Sequence, residues 1–282
     1  MNAHKPVHAS SGGELGRLLR HWRDVRGKSQ IDLSLDTGVS QRHISFIESG
    51  RSVPSRHTLA SISQALDVPF RDRNELFVAA GFAPVHKEDA WSSEEMGSVK
   101  RALDRMLHQQ EPFPAIVMDR HWNVFMRNTA ARRFFGSFID LDARAEPRNL
   151  LHLMFDPAGM RPFIANWEDA SAALVQRIHW EAVGHTLDER TQQLLTALRN
   201  YEGADAAFHM SDSQSSSPSL PVVSINFRKD GQLLRYFSMI TTVGTPQTIT
   251  TQELRIESMF PADDATETTH RQWMERLAMD AP

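Results

Sequence analysis

Residues 29–51, SQIDLSLDTGVSQRHISFIESGR, decide the fold of the first third of this chain. Leu33 and the small Ser34 fall where one short helix must pack closely on the next. Gly38 follows at a tight turn, where a left-handed backbone favours a residue without Cβ. Val39, Ile44 and Ile47 then supply the buried face of a second helix, the last two at the i, i+3 spacing of a helical stripe. Ser29 and Asp32 have the spacing of a capping box, Ser40 is placed to cap the second helix, and Gly50 is placed to close it. This is the pattern of a helix-turn-helix, and it implies that the chain reads DNA.

Outward from that block the helical period continues. Leu15, Leu18, Leu19, Trp22 and Val25 form one stripe on a helix from about Glu14 to Arg26, ended by Gly27. Residues 1–13 are polar and Gly/Ser-rich, and disorder is expected there. Pro54 and Ser55 open a fourth helix carrying Leu59, Ile62 and Leu66, and FRDRNELFVAAGF from Phe70 supplies a fifth. The expectation is an all-α five-helix domain over 14–82. Residues 83–110 read as a linker followed by a connecting helix, with capping-box spacing at Ser92 and Glu95 and a stripe of Met96, Val99, Leu103, Met106 and Leu107.

Past Pro114 the period changes. AIVMD, a turn at Arg120 and His121, and WNVFMRN predict a hairpin. Helices are expected around 129–138, 162–183 and 188–201, then strands at 206–211, 220–227 and 233–243, with SDSQSSSPS from Ser211 as a mobile hairpin loop. A short helix containing Trp273, Met274 and Leu277 should close the chain. Two strands, several helices and three strands suggest an α+β domain over 111–277, an antiparallel sheet of about five strands with its helices on one face.

Composition narrows the function classes. The chain has 282 residues, 40% hydrophobic and 23% charged, which suits two globular domains. No apolar run of signal-peptide or membrane-spanning length is present, so a cytoplasmic protein with no membrane partner is expected. The absence of cysteine excludes disulfides, thiolate catalysis and thiolate metal ligands. Net charge is −4, yet residues 14–82 hold 10 Lys or Arg against 8 Asp or Glu, and the chain beyond Phe82 holds 20 against 27. The basic excess therefore lies where DNA reading is expected, and it is small enough that specificity must come from geometry in both halves of a dimer.

GVSQRHISFIESGRSVPSRHTL and LDVPFRDRNELFVAAGFAP resemble the XRE/Cro-type regulators and, within them, the MmyB-like subgroup. PAIVMDRHWNVFMRN, NLLHLMFDP, Asn166–Trp167 and ITTVGTPQTITTQELRIESMFPADDAT resemble that subgroup's C-terminal ligand-binding domain. Ser34 stands where such motifs often have Ala. The resemblance implies a bacterial transcription regulator with a lambda-repressor-like helix-turn-helix domain and a PAS-like sensor. It also implies a small, apolar or fatty-acid-like ligand.

On the DNA side, Gln41, Arg42 and His43 occupy the first turn of the recognition helix, between Ser40 and Ser45. Gln pairs bidentately with adenine and Arg with guanine, while His43 suits a base edge, a phosphate or a solvated surface. Gln30 resembles the residue that bridges phosphate and recognition helix in this fold, and its helix N-terminus favours an anion. Arg51 and Arg56 either clamp phosphates or are plain surface charges. Phe46 should face outward, to a thymine methyl or to a dimer or domain contact. Two-fold symmetry in a homodimer would require a pseudo-palindromic operator in double-stranded DNA.

In the second domain no residue set assembles a catalytic or metal site. There is no GxSxG, GxGxxG or Walker A, and His179, Glu181 and His185 have no metal-ligand spacing. No catalytic residue and no metal are assigned. Ligand contacts are assigned from bulk to Met126, Phe134, Phe138, Phe155, Phe163, Trp167 and Met239, a set that is more often plain core than a cavity. Arg161 is the candidate partner for a carboxylate head group, or else a surface ion pair. Two alternatives stay open: a ligand-free dimerisation or protein-interaction module, and an enzyme domain fused to a DNA reader.

Overall fold

The computed structural model describes residues 11–144, 148–183, 188–214 and 222–279. The expected disorder of residues 1–10, the end of the loop from Ser211 and the side chains of Glu181 and His185 lie outside the described residues. The chain forms two compact units, one built mainly from residues up to Glu88 and one mainly from Asp89 onward. No described helix is long and apolar enough to cross a membrane.

The first unit consists of α1 (Ser11–Val25), α2 (Gln30–Thr37), α3 (Gln41–Glu48), α4 (Arg56–Ala65) and α5 (Phe70–Ala79). Leu15, Leu18, Leu19, Trp22, Leu33, Ile44, Ile47, Leu59, Ile62, Leu66, Leu76 and Phe77 meet in one buried cluster. Each such side chain contributes on the order of 1.5–3 kcal/mol when fully removed from water. The helix ends follow their caps. The Ser29 hydroxyl accepts from Asp32 N while the Asp32 carboxylate accepts from Ser29 N, and the Ser40 hydroxyl accepts from His43 N. Gly38 has φ 71°, the left-handed conformation that the turn demands. Gly16 permits a second close approach, since a Cβ there would lie 2.3 Å from the carbonyl oxygen of Glu48. The first helix begins at Ser11, earlier than its apolar stripe requires, so residues 11–13, expected to be disordered, are helical instead.

The second unit opens with α6 (Gly97–Gln109), β1 (Ala115–Met118), β2 (Val124–Arg127), α7 (Thr129–Gly136) and α8 (Leu150–Phe155). It continues through α9 (Trp167–Val183), α10 (Glu189–Arg199), α11 (Asp205–Gln214), β3 (Val223–Lys229) and β4 (Gln232–Thr242), then β5 (Arg255–Pro261) and α13 (Asp264–Met279), whereas the short α12 (Ile249–Glu253), between β4 and β5 in sequence, groups through Gln252 with the first unit. The sheet is antiparallel throughout, in the order β2-β1-β5-β4-β3. Alternation along the strands divides two cores. Ile116, Met118 and Met259 join Phe134, Phe227 and Tyr236 in the larger one, whereas Ala115, Val117 and Ile256 pack with Met96, Leu103 and Leu107. His270, fully buried on α13, takes a fixed tautomer: Nε2 donates to the Pro112 carbonyl at 2.8 Å, so Nδ1 accepts from the Tyr236 hydroxyl at 2.7 Å.

Several expectations are corrected. Residues 206–211 are helical, within α11, because Ala204, Ala207, Phe208 and Ser211 are buried at helical spacing. The fifth strand is instead β5, which occupies the centre of the sheet. Helices cover both faces rather than one, since α6 packs against the face opposite the larger core. The segment expected as one helix over 162–183 breaks at 164–166, where Ala165 N donates to Asn226 O and the Asn166 side chain brackets β3 through Asn226 N and Ser224 O. Ser92 and Glu95 form no capping box, since Met96 is the N-cap of α6 without a side-chain cap bond. Met106 leaves the expected stripe and is exposed.

Candidate nucleic-acid interface and ligand cavity

Helix α3 is one turn of buried contacts beneath one turn of available side chains. Ile44, Ile47 and Glu48 are buried, Gln41 and Arg42 are exposed, and His43, Ser45 and Phe46 are half-buried. Ser40, the cap, is exposed beside Gln41. The His43 ring is less available than its position suggests, because its Nε2 is shielded from solvent without a hydrogen-bond partner among the described residues.

Phe46 does not stand alone. The Arg42 guanidinium lies 5.2 Å and that of Arg51 5.9 Å from its ring centroid, so both arginines share one aromatic platform. Stacking of this kind orders a long cation without consuming its hydrogen-bond donors. Arg56 rests 5.5 Å from the Phe77 ring centroid. These packing partners tie three candidate cations to the fold, a link that the sequence reading did not draw.

The anchor beneath α3 is Glu48. Arg23 donates Nε to its Oε1 at 2.7 Å and Nη2 to its Oε2 at 3.2 Å, and Gln30 Nε2 donates to Oε2 at 2.9 Å. Arg20 Nε lies 3.6 Å from Oε2. Burial pushes this carboxyl up, but the hydrogen bonds of Arg23 and Gln30 and the two guanidinium charges outweigh it and hold Glu48 below the usual glutamate range. Gln30, at the first position of α2, is thereby locked to the end of α3 with its helix N-terminus alongside.

In the second unit the ligand candidates do not converge. Phe134 is fully buried at the hub of an aromatic cluster, 5.2 Å from Phe138, 5.2 Å from Phe227 and 5.5 Å from Tyr236 and Trp273. Phe163 joins it through Phe138 at 5.1 Å, and Phe155 packs edge-on against Trp167 at 5.0 Å. Arg161 donates to the Glu202 carbonyl and lies over the Trp167 ring at 5.1 Å. Met126 packs with the core on the opposite sheet face, and Met239 is 42% exposed.

A cavity lies elsewhere in the same unit. It is lined by Ile116, Phe135, Leu150, Met154, Leu174, Ile225, Phe227, Tyr236 and Met259, with Ser238 and Glu257 among its polar walls. Its free volume is about 20 Å³, the room of roughly one water. None of the eight ligand candidates lines it.

Residues 99–272 match the family model of the MmyB-like transcription regulator ligand binding domain. The chain belongs to the MmyB-like transcription regulators. Residues 19–72 match a helix-turn-helix family model, covering α2, α3 and α4. No curated protein matches the chain. This MmyB-like regulator is thus a DNA-binding transcription regulator with a ligand-binding domain.

Proposed function

We propose that the regulator acts as a homodimer on a pseudo-palindromic operator, reading bases with Gln41 and Arg42 of each α3. Gln30, Ser40, Ser45, Arg51 and Arg56 hold the backbone, and His43 lies at the edge of the contact. The observation that carries this reading is the exposure of Gln41 and Arg42 on a helix whose other face is buried and anchored through Glu48. Two such helices on a two-fold axis would sit about 34 Å apart, one turn of DNA. The test is an operator selected from a random DNA pool. Gln41→Ala with Arg42→Ala should lower affinity for it at matched salt by about 10-fold or more, at roughly 1–3 kcal/mol for each lost bidentate contact. Unchanged affinity and base preference would refute the assignment of α3.

The second unit, in this proposal, is a PAS-like sensor for a small apolar or fatty-acid-like effector. Its antiparallel five-stranded sheet, covered by helices around a mostly apolar cavity, supports that reading. Binding would regulate only through different affinities for the DNA-competent and incompetent states. One observation favours a second reading: a free volume of about 20 Å³ is also what a tightly filled dimerisation or protein-interaction module would show. Methionines 154 and 259 on the wall support the sensor reading, because flexible thioether side chains make room for a ligand where branched ones do not.

A further inference from the structure

Glu257 is the anomaly of the second unit. It stands on β5, the central strand, between Ile116 of β1 and Ile240 of β4, and it is 5% exposed. Its Oε2 has no hydrogen-bond partner among the described residues. Among the described residues the opposite charge paired with it is the Arg177 guanidinium of α9, whose Nη1 is 3.9 Å from Oε1, too far for a hydrogen bond, and is itself without a hydrogen-bond partner there. The Ser238 hydroxyl is 2% exposed, lies on the same wall, and is equally unsatisfied. Burial holds the carboxyl above the usual glutamate range, while Arg177 and Ser238 pull only partly against it.

A buried polar atom left without a partner costs about 1–3 kcal/mol, and here three lie together beside a cavity. Resting on the sensor reading above and taking its apolar rather than its fatty-acid alternative, we propose that Glu257 and Ser238 on the cavity wall, with Arg177 beside Glu257, form the head-group site, and that this site takes an uncharged, hydrogen-bond-donating head such as the hydroxyl of an aliphatic alcohol. The charge balance selects the head. With Glu257 ionised, glutamate and arginine sum to zero, so a neutral head adds no uncompensated charge inside a low-dielectric cavity. A carboxylate would face Glu257 as a like charge, and an ammonium would face Arg177 in the same way. A hydroxyl donates to Glu257 Oε2 and accepts from Ser238 Oγ, filling both vacancies at once. The hydrocarbon tail displaces Met154 and Met259, the adaptable part of the wall.

The test is calorimetric titration of the full chain at neutral pH with 1-octanol, octanoate and octylamine. Octanol should bind at least 10-fold more tightly than either charged analogue. Glu257→Gln leaves Arg177 uncompensated and should reverse the order, so that octanoate gains at least 10-fold; Ser238→Ala should weaken octanol several-fold without altering the charge preference. Amide exchange of β5 checks that each variant is folded. Octanoate binding as tightly as octanol in the wild type, or a charge preference unmoved by Glu257→Gln, would overturn the head-group assignment and leave the sensor reading standing. Failure of all three compounds to bind would overturn both.

Discussion

Two glutamates in this chain are equally buried, each 5% exposed, and they are treated in opposite ways. Glu48 in the helical unit is met by Arg23, Gln30 and Arg20 and held in its charged form. Glu257 in the sheet unit faces a single arginine at 3.9 Å and is pushed toward its neutral form. A buried charge with every partner in place stabilises a joint, here between α1, α2 and α3. One left short of partners weakens the fold, and at Glu257 the proposed head group would supply the missing partner.

The comparison breaks first at Glu48. Glu48→Ala leaves Arg23 without its main partner and should cost the helical unit about 3–5 kcal/mol, read as faster amide exchange across α1 and α3. If exchange there were unchanged, the arginine cluster would be ornament. Gly16→Ala attacks the same joint sterically: a Cβ 2.3 Å from the Glu48 carbonyl oxygen forces α1 off α3. The expected loss is about 1–3 kcal/mol, with a matching drop in the unfolding midpoint of that unit.

Glu257→Gln should have the smallest effect on stability, and of opposite sign. Because the folded carboxyl titrates above the ordinary 4.5, its contribution to stability is present below that value and is lost as pH rises through the folded one. The glutamine variant should therefore match the wild type in acid and become more stable by about 1 kcal/mol toward neutral pH, judged by β5 exchange. Glu48, held low, has the reverse dependence: its contribution is present above 4.5 and lost as pH falls. A glutamine variant at 257 that was less stable at neutral pH would place this residue with Glu48 as a structural charge.

The same contrast explains what was legible in the sequence. The helical unit could be read nearly residue by residue, because its caps, its Gly38 turn and its apolar stripes are local and mutually consistent. Its Glu48 anchor was missed, since Arg20, Arg23, Gln30 and Glu48 are brought together only by the fold. In the sheet unit the strand count was right and one strand wrong. A glutamate and a serine inside RIESMFP disguise the central strand as polar loop, while the short apolar run at 206–211 fits a strand or a helix equally well. The residue that hid β5 is the residue that marks the cavity. Phe134 and Phe138, read as ligand contacts, fill the core around the cavity without lining it, whereas the neighbouring Phe135 and Phe227 line it.

The most direct test of the whole account is operator affinity of the full chain, measured with and without 1-octanol or octanoate at fixed salt, for the wild type and for Glu257→Gln. The account predicts that octanol changes wild-type affinity several-fold, that operator DNA changes octanol affinity by the same factor, and that in the variant octanoate becomes the stronger effector while DNA binding without either compound persists. Operator affinity indifferent to octanol in a wild-type protein that demonstrably binds it would contradict the claim that the second domain controls the first.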